Sequence, residues 1–82
     1  LILVNAVGWG ADPRIAFAHN NLGTALKTLG RWQEAAAAYR QALSLEPQSA
    51  IAHYNLGNVL KEAGEAGEAE RLLVRAIELD PT

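Results

Sequence analysis

The chain contains no cysteine and no methionine. Without cysteine there is no disulfide framework, no thiolate nucleophile and no sulfur ligand for a metal. Aromatics are scarce: two Trp, two Tyr and one Phe among 82 residues. Small aliphatic side chains, alanine above all, must therefore build the core. Seven Lys and Arg stand against nine Asp and Glu, a formal net charge of -2 with dispersed signs. That leaves no basic face for nucleic acid. The apolar start Leu1-Ile2-Leu3-Val4 breaks at Asn5, far short of the roughly 20 residues that cross a bilayer. It also lacks the basic region and cleavage site of a signal peptide, so no membrane partner is expected. With no initiating methionine, we expect a piece of a longer protein. A Gly-rich phosphate loop and a nucleophile elbow are both missing, so neither enzymatic chemistry nor a cofactor is expected.

Proline is also rare, and its three occurrences are the most informative residues in the chain. Pro13, Pro47 and Pro81 are spaced 34 residues apart. Aligning residues 16–48 with 50–82 without a gap matches 14 of 33 pairs. Among them are His19/His53, Asn21/Asn55, Leu22/Leu56, Gly23/Gly57, Lys27/Lys61, Gly30/Gly64, Ala35/Ala69 and Ala42/Ala76. A 34-residue period is the length at which two short helices and two turns close one repeating unit.

Each copy reads as a helical hairpin. Residues 16–29 form the first helix, with Ala18, Leu22, Ala25, Leu26 and Leu29 on a stripe expected to face inward. Gly30 stops it in a left-handed conformation. The second helix, 32–45, turns Ala35, Tyr39, Ala42 and Leu43 inward, and Glu46-Pro47 ends it. Ser49 caps a third helix, 50–63, with Ala52, Leu56, Val59, Leu60 and Ala63 inward. Gly64 breaks the chain, and a fourth helix follows over 66–79, with Ala69, Leu72, Leu73, Ala76 and Ile77 apolar. Mid-helix Gly23 and Gly57, unfavourable there, imply helix crossings too close for a Cβ.

Three units result: an N-terminal remnant at 1–15, a repeat at 16–49 and a second repeat at 50–82. In the remnant, residues 1–7 fall in register with the second helix of a truncated earlier repeat. An extended arm is the competing reading, because Ile2, Val4 and Val7 favour strands and Gly8 and Gly10 disfavour helix.

The residue pattern resembles the tetratricopeptide repeat. One copy carries His19-x-x-Leu22-Gly23-x-x-Leu26, then Ala35, Tyr39 and Pro47. The other carries His53-x-x-Leu56-Gly57-x-x-Leu60, then Ala69, Leu73 and Pro81. The resemblance implies an all-α solenoid of two helix-turn-helix repeats. It implies a non-catalytic protein–protein interaction module whose concave groove, lined by the first helix of each repeat, holds an extended peptide. By that analogy Phe17, Asn20, Asn21, Thr24 and Lys27 face the groove, with Ile51, Tyr54, Asn55, Asn58 and Lys61 below them. A side-chain amide can both donate to and accept from a peptide backbone, so Asn21 and Asn55 form a candidate backbone-reading ladder. Ala52-His53-Tyr54-Asn55-Leu56-Gly57-Asn58 looks much like the repeats of O-linked N-acetylglucosamine transferases. The carboxylate clamp known in other such repeats is disfavoured, because its lysine position holds Asn20 in one copy and Tyr54 in the other.

Blander readings account for the remaining polar residues. His19 and His53 sit one repeat apart and read as packing residues, and Glu62, Glu65, Glu68 and Glu70 read as a solvated face. The alternative to a binding groove is a structural spacer of a longer array, one that could be joined to a glycosyltransferase. The spacer would self-associate as a homo-oligomer through its ends, where Leu1 to Val4 and the apolar fourth helix (Leu72, Leu73, Val74, Ile77, Leu79) meet.

Overall fold

The computed structural model describes residues 12–81. Four helices follow one another: α1 Pro13–Thr28, α2 Trp32–Leu45, α3 Ala50–Glu62 and α4 Ala66–Leu79. They form an all-α solenoid of two helical hairpins, α1–α2 and α3–α4, with α2 packed against α3 to join them. The expected helix or arm at residues 1–7 lies outside the described residues.

The turns follow from the repeated glycines. Gly30 and Gly64 have φ of 78° and 89°, a region L-residues rarely occupy. At α1 the Arg31 N–H donates to Leu26 O at 2.9 Å and the Gly30 N–H to Lys27 O at 2.9 Å. At α3 the Glu65 N–H donates to Leu60 O at 2.8 Å and the Gly64 N–H to Lys61 O at 3.1 Å. Each hairpin therefore closes with the same pair of bonds, which satisfies carbonyls the helix end leaves free.

The start of α1 departs from the expected boundary. Residues 13–15, assigned from sequence to the remnant, are helical, because Asp12 caps the helix and its side chain accepts from Arg14 N–H at 2.9 Å. Pro13 occupies the first turn, where a missing N–H is harmless. Pro47 instead lies in the connection between α2 and α3, so one spacing serves two purposes. Ser49 caps α3 as expected, accepting from Ala52 N–H at 3.1 Å.

The core is centred on the α2–α3 seam: Ala35, Ala36, Tyr39, Leu56, Val59, Leu60 and Ala69, flanked by Leu26, Trp32, Leu43 and Leu72. Gly23 and Gly57 explain how two helices come so close. A Cβ on Gly23 would lie 2.6 Å from Tyr39 Cε1, and one on Gly57 would lie 2.8 Å from Leu73 Cγ and 3.2 Å from Ala69 O. His53 is buried in this packing, with Nδ1 2.8 Å from Ser49 O.

One inward assignment is overturned. Leu56 is 2% exposed and Val59 0%, but their counterparts in the first copy, Leu22 and Ala25, are exposed. Ala18 and Leu29 are exposed as well, and only Leu26 of the expected α1 stripe is partly covered. In α1 the buried positions are Ala16 and Gly23, the face turned to α2. The first helix of each repeat has two apolar faces, one for its own hairpin and one for the preceding hairpin. In α3 both are covered. Among the described residues nothing covers the second face of α1.

Candidate functional site

Pro13, Phe17, Asn20, Asn21 and Thr24 of α1 line a hollow of about 370 Å³ together with Glu46, Ser49, Ile51 and Asn55. A second hollow, of about 330 Å³, joins Lys27 to Trp32, Asn58, Lys61 and Glu62. The early residues of α1 thus meet the early residues of α3, and the late residues meet the late. The two helices run side by side in the same direction, touching only lightly, and an open cleft lies between them.

Helical spacing explains the lining. Phe17, Asn20, Asn21, Thr24 and Lys27 advance by three or four residues, so they share one face of α1. Ile51, Asn55, Asn58 and Lys61 do the same on α3. The structure places nine of the ten residues singled out from sequence along this cleft. Tyr54 is the exception. It lines a larger, more apolar hollow of about 540 Å³ over α3 and α4, with Ala50, Ile51, Asn58, Leu73, Ala76, Ile77, Asp80 and Pro81.

The groups in the cleft are not equally available. Thr24 Oγ1 donates to Asn20 O at 3.1 Å and lies 2.8 Å from Tyr39 Oη. Its hydroxyl therefore holds the buried tyrosine in place, a role the sequence signalled only through the need of a buried phenol for a partner. Asn20 Oδ1 is buried with no hydrogen-bond partner among the described residues, whereas Asn21 is exposed and Asn55 half-buried. Phe17 and Ile51, at equivalent positions, are 66% and 67% exposed. Trp32 and Glu62, which wall the lysine end, were not foreseen. Trp32 opens α2, so a one-helix pattern carries no sign of it, while Glu62 is the last residue of α3, next to Lys61.

Electrostatics concentrates at the helix ends. Asp12 accepts from the Arg14 side chain at 3.2 and 3.0 Å. This bond, with the backbone bond from the same residue, holds its carboxyl below the ordinary value and raises the Arg14 guanidinium. Arg40 and Glu68 approach to 3.5 Å, bridging α2 to α4. Among the described residues no group of three His, Asp or Glu side chains could hold a metal ion, and no helix is long and apolar enough to cross a membrane.

Residues 23–64 match the family model described as TPR repeat, and residues 50–82 match the one described as Tetratricopeptide repeat. No curated protein matches the chain.

Proposed function

This chain belongs to the tetratricopeptide repeat family, and on that footing we propose that the α1–α3 cleft binds an extended segment of a protein partner. The observation that carries the proposal is the row of amides along the cleft: Asn20, Asn21 and Asn55 in one hollow and Asn58 in the next. An amide donates and accepts at once, which suits a peptide backbone whatever its side chains. Asn20 Oδ1, buried and without a partner among the described residues, gains most from meeting an N–H donor. The likeness of residues 52–58 to the repeats of O-linked N-acetylglucosamine transferases supports the same reading. The test is the double variant Asn21→Ala/Asn55→Ala against peptides of unrelated sequence. Affinity should fall alike for all of them, each lost hydrogen bond contributing about 0.5–1.5 kcal/mol. Loss of a single peptide only would refute backbone reading.

A second reading, self-association through the ends, rests on a separate observation. The exposed face of α1 (Ala18, Leu22, Ala25, Leu29) repeats the positions Ala52, Leu56, Val59 and Ala63, of which Leu56 and Val59 share the core cluster with Ala35, Ala36 and Tyr39 of α2. At the other end, Val74 and Ile77 of α4 are exposed, while Leu72, Leu73 and Leu79 are half-covered within the hairpin. Docking of one copy's α1 on another's α4 would reuse the α2–α3 geometry. One residue opposes it: Glu70 stands where α2 has the fully buried Ala36. Sedimentation of Leu22→Glu beside the parent chain decides. A compact monomer for both would refute self-association.

A further inference from the structure

The cleft is graded along its length. At one end stand the exposed apolar side chains of Phe17 and Ile51. Amides occupy the middle. At the other end Lys27 and Lys61 share a hollow with Asn58 and Glu62. Neither lysine is ion-paired among the described residues: the pairs there are Arg14–Asp12, Arg31–Glu34, Arg40–Glu68 and Arg75–Glu78. Glu62 brings one carboxylate to two ammonium groups, so this end keeps an excess positive charge.

The two ends are separated by the same distance on both helices. Phe17 to Lys27 and Ile51 to Lys61 are each ten residues, about 15 Å along a helix axis at 1.5 Å per residue. An extended peptide advances about 3.3 Å per residue. Four residues therefore span about 13 Å, and the flexible lysine stems reach across the remainder.

Building on the cleft-binding reading above, we propose that this cleft selects a partner segment bearing an apolar and an acidic side chain four positions apart. The apolar side chain sits between Phe17 and Ile51, the acidic one between Lys27 and Lys61. The amides hold the backbone that connects them. A free inorganic anion would use the lysines alone and leave the apolar end uncovered, so the partner is a peptide.

The experiment titrates the intact chain, by isothermal calorimetry, with short peptides in which Leu and Glu are four apart, made in both chain directions. Companion peptides carry Gln for Glu, or Glu only two positions from Leu. For at least one direction, Glu→Gln should weaken binding about three- to tenfold at low salt, since two solvent-exposed ion pairs are lost. The difference should shrink as salt rises, and shortening the spacing should weaken binding too. The charge-reversed variant Lys27→Glu/Lys61→Glu should prefer a peptide with Lys in place of Glu. The peptide exchanges use the unaltered protein, so they hold even if that variant folds poorly. Equal affinity for Glu and Gln peptides, with the asparagine side-chain amides still shifting in NMR spectra, overturns the grading and leaves cleft binding standing. Absence of any amide shift with any peptide overturns both.

Discussion

Gly23→Ala adds one methyl group, and the structure says where it goes. The new Cβ would lie 2.6 Å from Tyr39 Cε1 and 2.7 Å from Cδ1. The ring would have to retreat by roughly 0.8 Å to restore ordinary contact at 3.4 Å. Tyr39 is 1% exposed, and its hydroxyl is held by Thr24 at 2.8 Å, so it has little freedom to move. Overpacking of this kind costs about 1–3 kcal/mol. Against it stands the gain from replacing glycine inside a helix, about 1 kcal/mol at most. The clash should win by up to about 2 kcal/mol, and a domain of this size loses about 4–8 °C in Tm per kcal/mol. Gly67→Ala is the control, because a Cβ there meets nothing within 4 Å. That variant should gain about 0.5–1 kcal/mol, the helix term with no opposing contact. Thermal melting followed by circular dichroism reads both. One substitution type with opposite signs at two sites is the expected result. A Gly23→Ala protein that melts at or above the parent would refute the tight crossing of α1 and α2.

Ser49→Ala removes the acceptor for Ala52 N–H and should lower stability by about 1 kcal/mol in urea titration, with little change in m-value. Asp12 has a folded-state pKa below its ordinary value, so its stabilising effect on α1 is complete above about pH 4. It should disappear as pH falls through the lowered folded value. Asp12→Asn should keep the cap while abolishing that pH dependence, as read by the amide shifts of the first turn of α1. Asn21→Ala/Asn55→Ala should leave the melting temperature nearly unchanged, because Asn21 is exposed and Asn55 half-buried; early unfolding would mark them as structural. Leu72→Glu should unfold the chain rather than dissociate it, because Leu72 packs on the core cluster, and circular dichroism distinguishes the two.

Much of this fold was legible from residue identities at a 34-residue offset. Gly30 and Gly64 announced left-handed stops, and Gly23 and Gly57 announced close crossings, because only one residue type meets each demand. The outward face of α1 was misjudged for a physical reason. The stripe Ala18, Leu22, Ala25 and Leu29 reports that a face is apolar, not which neighbour covers it, and only the second copy has α2 in front of that face. Pro13 misled in a similar way, since a proline can close one helix region or open the next: Asp12-Pro13 opens α1, whereas Asp80-Pro81 follows the end of α4. Along the cleft, three- and four-residue spacing carried Phe17 through Lys27 and Ile51 through Lys61 onto shared faces. The same spacing could not separate Tyr54, whose side of α3 turns toward α4. Trp32 was hidden because its place in the wall depends on how α2 folds back after Gly30, and Glu62 because it stands beside Lys61 on α3, off the three- and four-residue spacing.

The central claim is that the cleft between α1 and α3 is where a partner segment lies. NMR spectra recorded with and without a bound peptide test it most directly. The side-chain amides of Asn20, Asn21, Asn55 and Asn58 should shift together, with the methyl signals of Ile51, while Leu22 and Val74 at the two ends stay fixed. Shifts gathered at Leu22, Val74 and Ile77, with the four asparagines unmoved, would contradict it.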